Sequence, residues 1–494
     1  MSSKQPNYYA TLGVFRDASL EEIKRAYFEA AQRLHPDKNK APGETELFLE
    51  IQQAYEVLSN PKRRAQYDAT LPPDEEEANS AVLHQIYFSR SNLVKLNESQ
   101  LIYVLLEVGP RNREEKLPAP PLNVALVLDR STSMQGEKMD VVKSAAIQLL
   151  RSLRPEDIFS VVTFSDRAEV IVPAAYQRDL HKLESRIQML QPSGATEIFQ
   201  GLELGMQEVR RGLDPARVNH IILLTDGHTY GDEQASLQLA EEAAKQNIGI
   251  SGMGIGNDWN DIFLDALASA TGGSSAYIAK PQDIQRILVE KFKALANTFA
   301  DEVVLDFTSQ EGVDLNYAFR IQPEGGPVAL ERPLRLGPIL QDVPLNILFE
   351  FVVQPSATVN DSVTLINGSL KISIAARPQP VPPIRLRLNR EVRTDAPTEP
   401  PPTKILSALS RLTLYRLQER ARSEADAGNI ETATRHLKNL ASHLLSQGEP
   451  TLARTALLEA ESLQQTRSWS TDGGKEIKYS TRALLLSGAK EKGK

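Results

Sequence analysis

The 494-residue chain contains no cysteine. That excludes a disulfide scaffold, a thiolate metal site and a cysteine nucleophile, and it suits a reducing compartment. Positive charge is also short: 56 Lys and Arg stand against 64 Asp and Glu, a net charge of −8. A general nucleic-acid binder needs a basic footprint, so no nucleic-acid partner is expected. No apolar run approaches the ~20 residues of a membrane span. Leu122 to Leu128 and Ile221 to Leu224 are of buried-strand length. The opening MSSKQPNYYATLGVF has no apolar stretch behind a basic start. The expectation is therefore a cytoplasmic protein without a secretory leader. There is no Gly-x-x-x-x-Gly-Lys-[Ser/Thr], no His-Glu-x-x-His and no Gly-x-Ser-x-Gly, so P-loop, zincin and nucleophile-elbow chemistry are excluded. The expected protein is not an enzyme.

What is present is ordinary globular composition, 41% hydrophobic and 24% charged, over a length that suggests about three domains. Proline and acid punctuate it at Pro72 to Glu77, and eight prolines lie between Arg377 and Pro402. Residues 5–70 carry helical stripes, Leu20, Ile23, Tyr27, Ala30 and Leu34, then Phe48, Ile51, Ala54, Tyr55 and Leu58. Across 122–300, apolar runs (NVALVLD, DIFSVVTF, HIILLTD, IGISGMGIG) alternate with helical patterns at about 137–153, 197–213 and 233–247. That alternation implies a parallel sheet covered on both faces, with a ligand site at the carboxyl ends of its strands. Short apolar runs without helices flank it at 81–108 and 301–376 and suggest antiparallel β structure. One β-sandwich assembled from both flanks, with the α/β domain inserted, is the simplest architecture. From 404 the pattern is again helical, with Gly428 and Gly448 as helix ends. The stretch from Gly473, with six Lys and Arg against two Glu, reads as a solvated basic tail.

Two constellations carry chemistry. The first is His35-Pro36-Asp37 after the first long helix, with Asn7-Tyr8-Tyr9-Ala10-Thr11-Leu12-Gly13-Val14 upstream and Ala54-Tyr55-Glu56-Val57-Leu58-Ser59-Asn60-Pro61 downstream. In these motifs residues 5–70 resemble a J domain, the DnaJ-type co-chaperone module. The resemblance implies an all-α fold that docks on a DnaK-type chaperone and stimulates its ATPase through His35, Pro36 and Asp37. Proline stiffens such a loop, and a carboxylate can pair bidentately with a partner's guanidinium. Lys24, Arg25, Tyr27 and Arg33 form the expected docking face, with the cations steering the encounter. Phe28 and Glu29 depart from the family, which usually carries more positive charge there.

The second constellation spans three loops. Asp129-Arg130-Ser131-Thr132-Ser133 ends one strand pattern, Ser193-Gly194-Ala195-Thr196-Glu197 enters a helix, and Thr225-Asp226-Gly227 ends another strand. Two carboxylates and three hydroxyls without nitrogen or sulfur suit a hard cation, Mg²⁺ before Mn²⁺ or Ca²⁺. The pattern is that of a metal-ion-dependent adhesion site. Residues 119–299 resemble a von Willebrand factor type A domain, a Rossmann-like α/β fold. Ser131, Ser133 and Thr196 are the candidate direct metal ligands, with Asp129 and Asp226 completing the shell directly or through water, and the resemblance implies an open coordination position for a protein partner bearing an exposed Asp or Glu. His228 reads as a polar loop residue near the rim.

The expected organisation is thus a multidomain chain. A J domain (5–70) and linker (71–80) precede the first part of a β-sandwich (81–112). The type A domain (119–299) and second sandwich part (301–376) follow, then a proline-rich linker (377–403) and a C-terminal helical region with a basic tail (404–494). The expected function is a co-chaperone adaptor. The alternative is a metal-dependent assembly or scaffold protein whose J domain only docks or regulates it.

Overall fold

The computed structural model describes residues 8–12, 14, 18, 20–34, 44–68, 81–111, 117–175, 179–229, 231–377, 381–395 and 399–487. The His35-Pro36-Asp37 motif, the side chains of Glu29 and Arg33, and the linker 71–80 lie outside the described residues. Helices α1 (Tyr8–Leu12), α2 (Leu20–Leu34), α3 (Glu44–Leu58) and α4 (Pro61–Asp68) open the chain. The stripes on α2 and α3 face each other, so that Ile23, Ile51, Ala54 and Leu58 bury together with Tyr9 and Tyr67. Tyr27 stacks on Tyr55, ring centroids 4.2 Å apart. Asn60 caps α4, its Oδ1 accepting from the backbone N–H of Lys62 and Arg63, with Pro61 at the first helical position.

The α/β domain has a six-stranded sheet in the order Ala168–Ala175, Ile158–Phe164, Leu122–Asp129, Val218–Thr225, Ile248–Ile255, Ser275–Ile278. All neighbours are parallel except the first pair. Helices α5 (Glu137–Ser152), α6 (Leu180–Gln188) and α10 (Asp283–Ala296) cover one face. Helices α7 (Ile198–Arg211), α8 (Glu233–Lys245) and α9 (Asp261–Ser269) cover the other. Successive residues of a strand point to opposite faces: Leu126 and Leu128 enter the α5 core, Ala125 and Val127 the α7 core. Both faces being dry, the central strands read as unbroken apolar runs.

Two five-stranded sheets form the sandwich around one apolar core. One runs Val82–Phe88, Gln100–Pro110, Leu345–Val353, Val313–Gln322, Gly326–Pro327, so strands from both flanks of the α/β domain pair directly, as Ile102 with Phe351. The other runs Leu334–Arg335, Glu302–Thr308, Ser362–Ser373, Ile384–Arg393, Leu93–Val94. The expected linker 377–403 is therefore corrected: Ile384–Arg393 is a ten-residue strand of the sandwich. The eight prolines stand in two groups, 378–383 and 397–402, and leave this stretch free to hydrogen-bond to Ser362–Ser373. Buried Arg320, from the strand Val313–Gln322, fastens the sandwich to the α/β domain by donating to the carbonyls of Gly272 (2.7 Å) and Gly273. Lys291 of α10 pairs with Glu324 at 2.6 Å on the same side. These contacts are made where the chain re-enters the sheet before Ser275–Ile278, at the amino ends of the parallel strands. The carboxyl ends of the two central strands, Leu122–Asp129 and Val218–Thr225, point the opposite way.

Four helices close the chain: α11 (Thr403–Asp426), α12 (Ile430–Ser446), α13 (Pro450–Thr466) and α14 (Thr471–Ser487). Gly428 and Gly448 end the first two helices at φ +82°, as expected of left-handed caps. Helix α11 lays Ile405, Leu412 and Tyr415 on Leu105, Phe319 and Leu348 of the sandwich. The solvated basic tail is corrected in its first half, where Lys475, Lys478 and Arg482 of α14 are buried. Lys478 and Arg422 bond Asp261, and Arg482 bonds Asp265, so α14 is ion-paired to α9.

Candidate functional site: an oxygen cluster at the carboxyl ends of the sheet

The three loops of the second constellation converge. Asp129 ends the strand Leu122–Asp129 and is fully buried. Its Oδ1 accepts from Ser131 N–H at 2.8 Å and its Oδ2 from Thr225 Oγ1–H at 2.6 Å. Ser131 Oγ lies 2.9 Å from Ser133 Oγ, which donates to Asp226 Oδ1 at 2.6 Å. The loop carrying Thr196 is tied to the first by Ser193 N–H to Arg130 O (2.7 Å) and Thr132 N–H to Gly194 O (3.2 Å). Thr196 packs on Gly227, where an added Cβ would come within 3.0 Å of Thr196 Oγ1. Asp129, Ser131, Ser133, Thr196 and Asp226 thus line one spot, and all but Ser133 are buried. His228 is exposed beside it.

The electrostatics fit a cation. Burial pushes the Asp129 carboxyl above its ordinary range, against the hydrogen bonds from Ser131 and Thr225, and the charge of Asp226 adds to the rise. Two buried carboxylates facing one another are unfavourable unless a positive charge lies between them. Among the described residues no three His, Cys, Asp or Glu side chains gather as ligands. The cluster instead supplements two carboxylates with three hydroxyls, a set of hard oxygen donors.

Several positioning residues were not legible beforehand. Asp166, two residues past the strand Ile158–Phe164, accepts from Ala195 N–H at 2.7 Å and so sets the Thr196 loop. Its position just beyond a strand's carboxyl end was a usable signal. Asp232 accepts from Phe199 N–H at 2.8 Å at the start of α7. Lys138, in the first turn of α5, donates to Asp226 Oδ2 at 2.6 Å. Of the expected docking face on α2, Lys24 and Arg25 are exposed and Tyr27 is half-buried against Tyr55. Phe28 is 65% exposed.

Comparison with known proteins agrees with this architecture. Residues 7–68 match the DnaJ domain, 123–290 the von Willebrand factor type A domain, and 403–487 the Sll0103-like, C-terminal alpha-helical domain. The chain is a multidomain protein carrying a DnaJ domain and a von Willebrand factor type A domain. It is 36% identical over 178 residues to the uncharacterized protein sll0103 of Synechocystis sp., covering 36% of this chain and 42% of that one. It is 53% identical over 76 residues to DnaJ homolog subfamily B member 14 of Homo sapiens, covering 15% of this chain and 20% of that one. The matched stretches therefore span less than half the length of either relative. In structure it resembles a von Willebrand factor type A protein from Catenulispora acidiphila with TM-score 0.64 and 16% identity, over 82% of this chain and 97% of that one. At that identity the likeness is one of fold, and it extends well beyond the α/β domain.

Proposed function

We propose that the chain is a DnaJ-type co-chaperone and adaptor of the cytoplasm, not itself an enzyme. The DnaJ domain implies a DnaK-type chaperone as partner. Stimulation of its ATPase is assigned to His35, Pro36 and Asp37, with Lys24, Arg25 and Arg33 steering the docking. The oxygen cluster is assigned to a divalent ion, Mg²⁺ first, held by Asp129, Ser131, Ser133, Thr196 and Asp226. Such an ion supplies an electrophilic position for a carboxylate of a partner protein. The chain's own residues prepare that position. Thr225 and Ser131 N–H orient Asp129, Asp166 sets the Thr196 loop, and the sandwich grips the far end of the sheet. The observation that supports the reading is the convergence of the three loops at a sheet end pointing away from the sandwich, in a chain that also carries a DnaJ domain.

The test has two arms. Purified protein should raise the single-turnover ATP hydrolysis rate of its cognate DnaK-type chaperone, and Asp37→Asn should abolish this. A pull-down should retain partner proteins in Mg²⁺ and lose them in chelator, and Asp129→Ala should lose them in both. Equal stimulation by wild type and Asp37→Asn would leave only the assembly role of the type A domain.

A further inference from the structure

We infer that Lys138 is a built-in counter-cation of the oxygen cluster, which holds Asp226 while the site is free of metal and gives way to an entering divalent ion. This rests on the reading of the cluster as a metal site. The Lys138 ammonium donates to Asp226 Oδ2 at 2.6 Å and to Ser133 O at 3.3 Å. Ser133 Oγ takes Asp226 Oδ1 at 2.6 Å. Both oxygens of Asp226 are thereby occupied from within the protein. One of them is held by the Lys138 ammonium.

The placement of Lys138 runs against its local preference. It stands in the first turn of α5, beside Glu137 and Asp140, at the end of a helix where the backbone dipole favours anions. The Asp226 side chain, 0% exposed, offsets that cost. The Lys138 side chain is 29% exposed and reaches the site from the solvent side. An ammonium on a flexible four-carbon stem can retract into water, which a rigid guanidinium fork bound bidentately does less readily.

Charge balance makes the two cations exclusive. Asp129 and Asp226 bring two negative charges. Lys138 neutralises one and a divalent ion both. Ion and ammonium together would crowd three positive charges on two carboxylates. The ion therefore binds the fraction of molecules in which Lys138 has left, and its apparent affinity falls by that fraction. The same lysine keeps the metal-free site from standing as an uncompensated pair of buried carboxylates, so the metal-free fold is preserved while the ion is scarce.

The experiment is calorimetric titration of the full chain with MgCl₂ and with MnCl₂, paired with thermal unfolding in chelator. It uses wild type, Lys138→Met, Lys138→Gln, Lys138→Arg and Asp129→Ala. Lys138→Met should bind the ion about tenfold tighter, the factor expected if the lysine-held form outweighs the free form by that ratio. It should also melt lower than wild type in chelator, and Lys138→Arg should bind no tighter than wild type. Lys138→Gln reports the same affinity change if the methionine variant does not fold. Ion binding by the Met or Gln variant where wild type shows none supports the inference in its strongest form. Binding by wild type that Asp129→Ala abolishes and Lys138→Met or Gln leaves unchanged or weaker overturns the inference and leaves the metal site standing. Binding by none of the five proteins overturns both.

Discussion

Replacing Arg482 by Met tests how the C-terminal helices are held. Arg482 is 5% exposed and its partner Asp265 12%. Nη1 donates to Asp265 Oδ1 at 2.8 Å and to Ser275 Oγ at 3.1 Å, and Nη2 to the Tyr415 hydroxyl at 2.8 Å. One guanidinium thus joins α14 to α9, to the edge strand Ser275–Ile278 and to α11. Burial works to raise the Asp265 carboxyl, but the charges of Arg482 and Lys478 outweigh it and hold the group below the ordinary carboxylate range. The pair's stability is then present above the unfolded carboxylate value and is lost only in strong acid. Removing the arginine leaves Asp265 with the Ser275 hydroxyl and with one cation, Lys478, 2.8 Å away and already shared with Asp261. Removing one partner of a buried pair costs about 3–5 kcal/mol. Hydrogen exchange of α14 amides should accelerate about 10²- to 4 × 10³-fold, since each 1.4 kcal/mol is a factor of ten. Arg482→Met with Asp265→Leu removes both charges and should recover most of the protection, because an apolar replacement of a whole pair is often neutral. Exchange of α14 within tenfold of wild type in the single variant, or a double variant worse than either single, would refute the reasoning.

Three further outcomes follow from particular contacts. His220 is buried with Nε2 2.9 Å from Ser251 Oγ, and burial, with Lys291 adding, lowers its pKa to about 3. Protonation favours the unfolded chain, so this contribution is complete above the unfolded value of about 6.5 and drains away as pH falls toward 3. Urea unfolding followed by Trp259 emission in a Trp469→Phe background should lose about 2 kcal/mol between pH 6.5 and 5, and His220→Gln should lose markedly less. Equal slopes in both would show that His220 already titrates normally. Gly254 lies against Trp259, whose ring an added methyl would penetrate. Gly254→Ala should cost about 1–3 kcal/mol by overpacking, read from the same transition, and a change under about 0.5 would contradict it. Mg²⁺ at 100 times its dissociation constant should stabilise the type A domain by about 2.7 kcal/mol. Asp129→Ala should erase that gain, and a shift that survives in this variant places the ion elsewhere.

The parts of this architecture that could be read from residues alone are those with local periodicity. Strands such as Leu122–Asp129 and Val218–Thr225 announce themselves because both faces are dry. The edge strands Ala168–Ala175 and Ser275–Ile278 carry half-exposed residues, the first with a proline inside its apolar run and the second only four residues long. Ile384–Arg393 has the alternation of a half-buried strand, with Leu386, Leu388 and Val392 inward, but proline on both sides disguised it. The five oxygen-bearing residues were legible because each loop follows a strand end or enters a helix. Lys138 and Asp232 were not, because which surface side chain turns inward depends on a partner distant in sequence. The same holds for α14. Lys475, Lys478 and Arg482 share one helix face, yet a positive face looks solvated until Asp261 and Asp265, more than two hundred residues earlier, are known to meet it.

The inserted layout dictates an order of events during synthesis. Leu101 and Val352 are strand neighbours, and the sheet they share has no hydrogen-bonding partner for its first hairpin until the later segment leaves the ribosome. The DnaJ domain completes its core from contiguous chain, and the α/β domain draws all but Ala375 of its buried core from residues 122–295, with Tyr479 packing on it later, so both can begin to fold while translation continues. The hairpin made by Val82–Phe88 and Gln100–Pro110 must wait with an open edge, the kind of surface that recruits stray strands. A truncation after residue 300 would make that waiting permanent. Recombinant fragments of this protein are therefore best cut to keep 81–393 whole, and a fragment ending at the α/β domain should be begun at residue 117 rather than at the first strand of the sandwich.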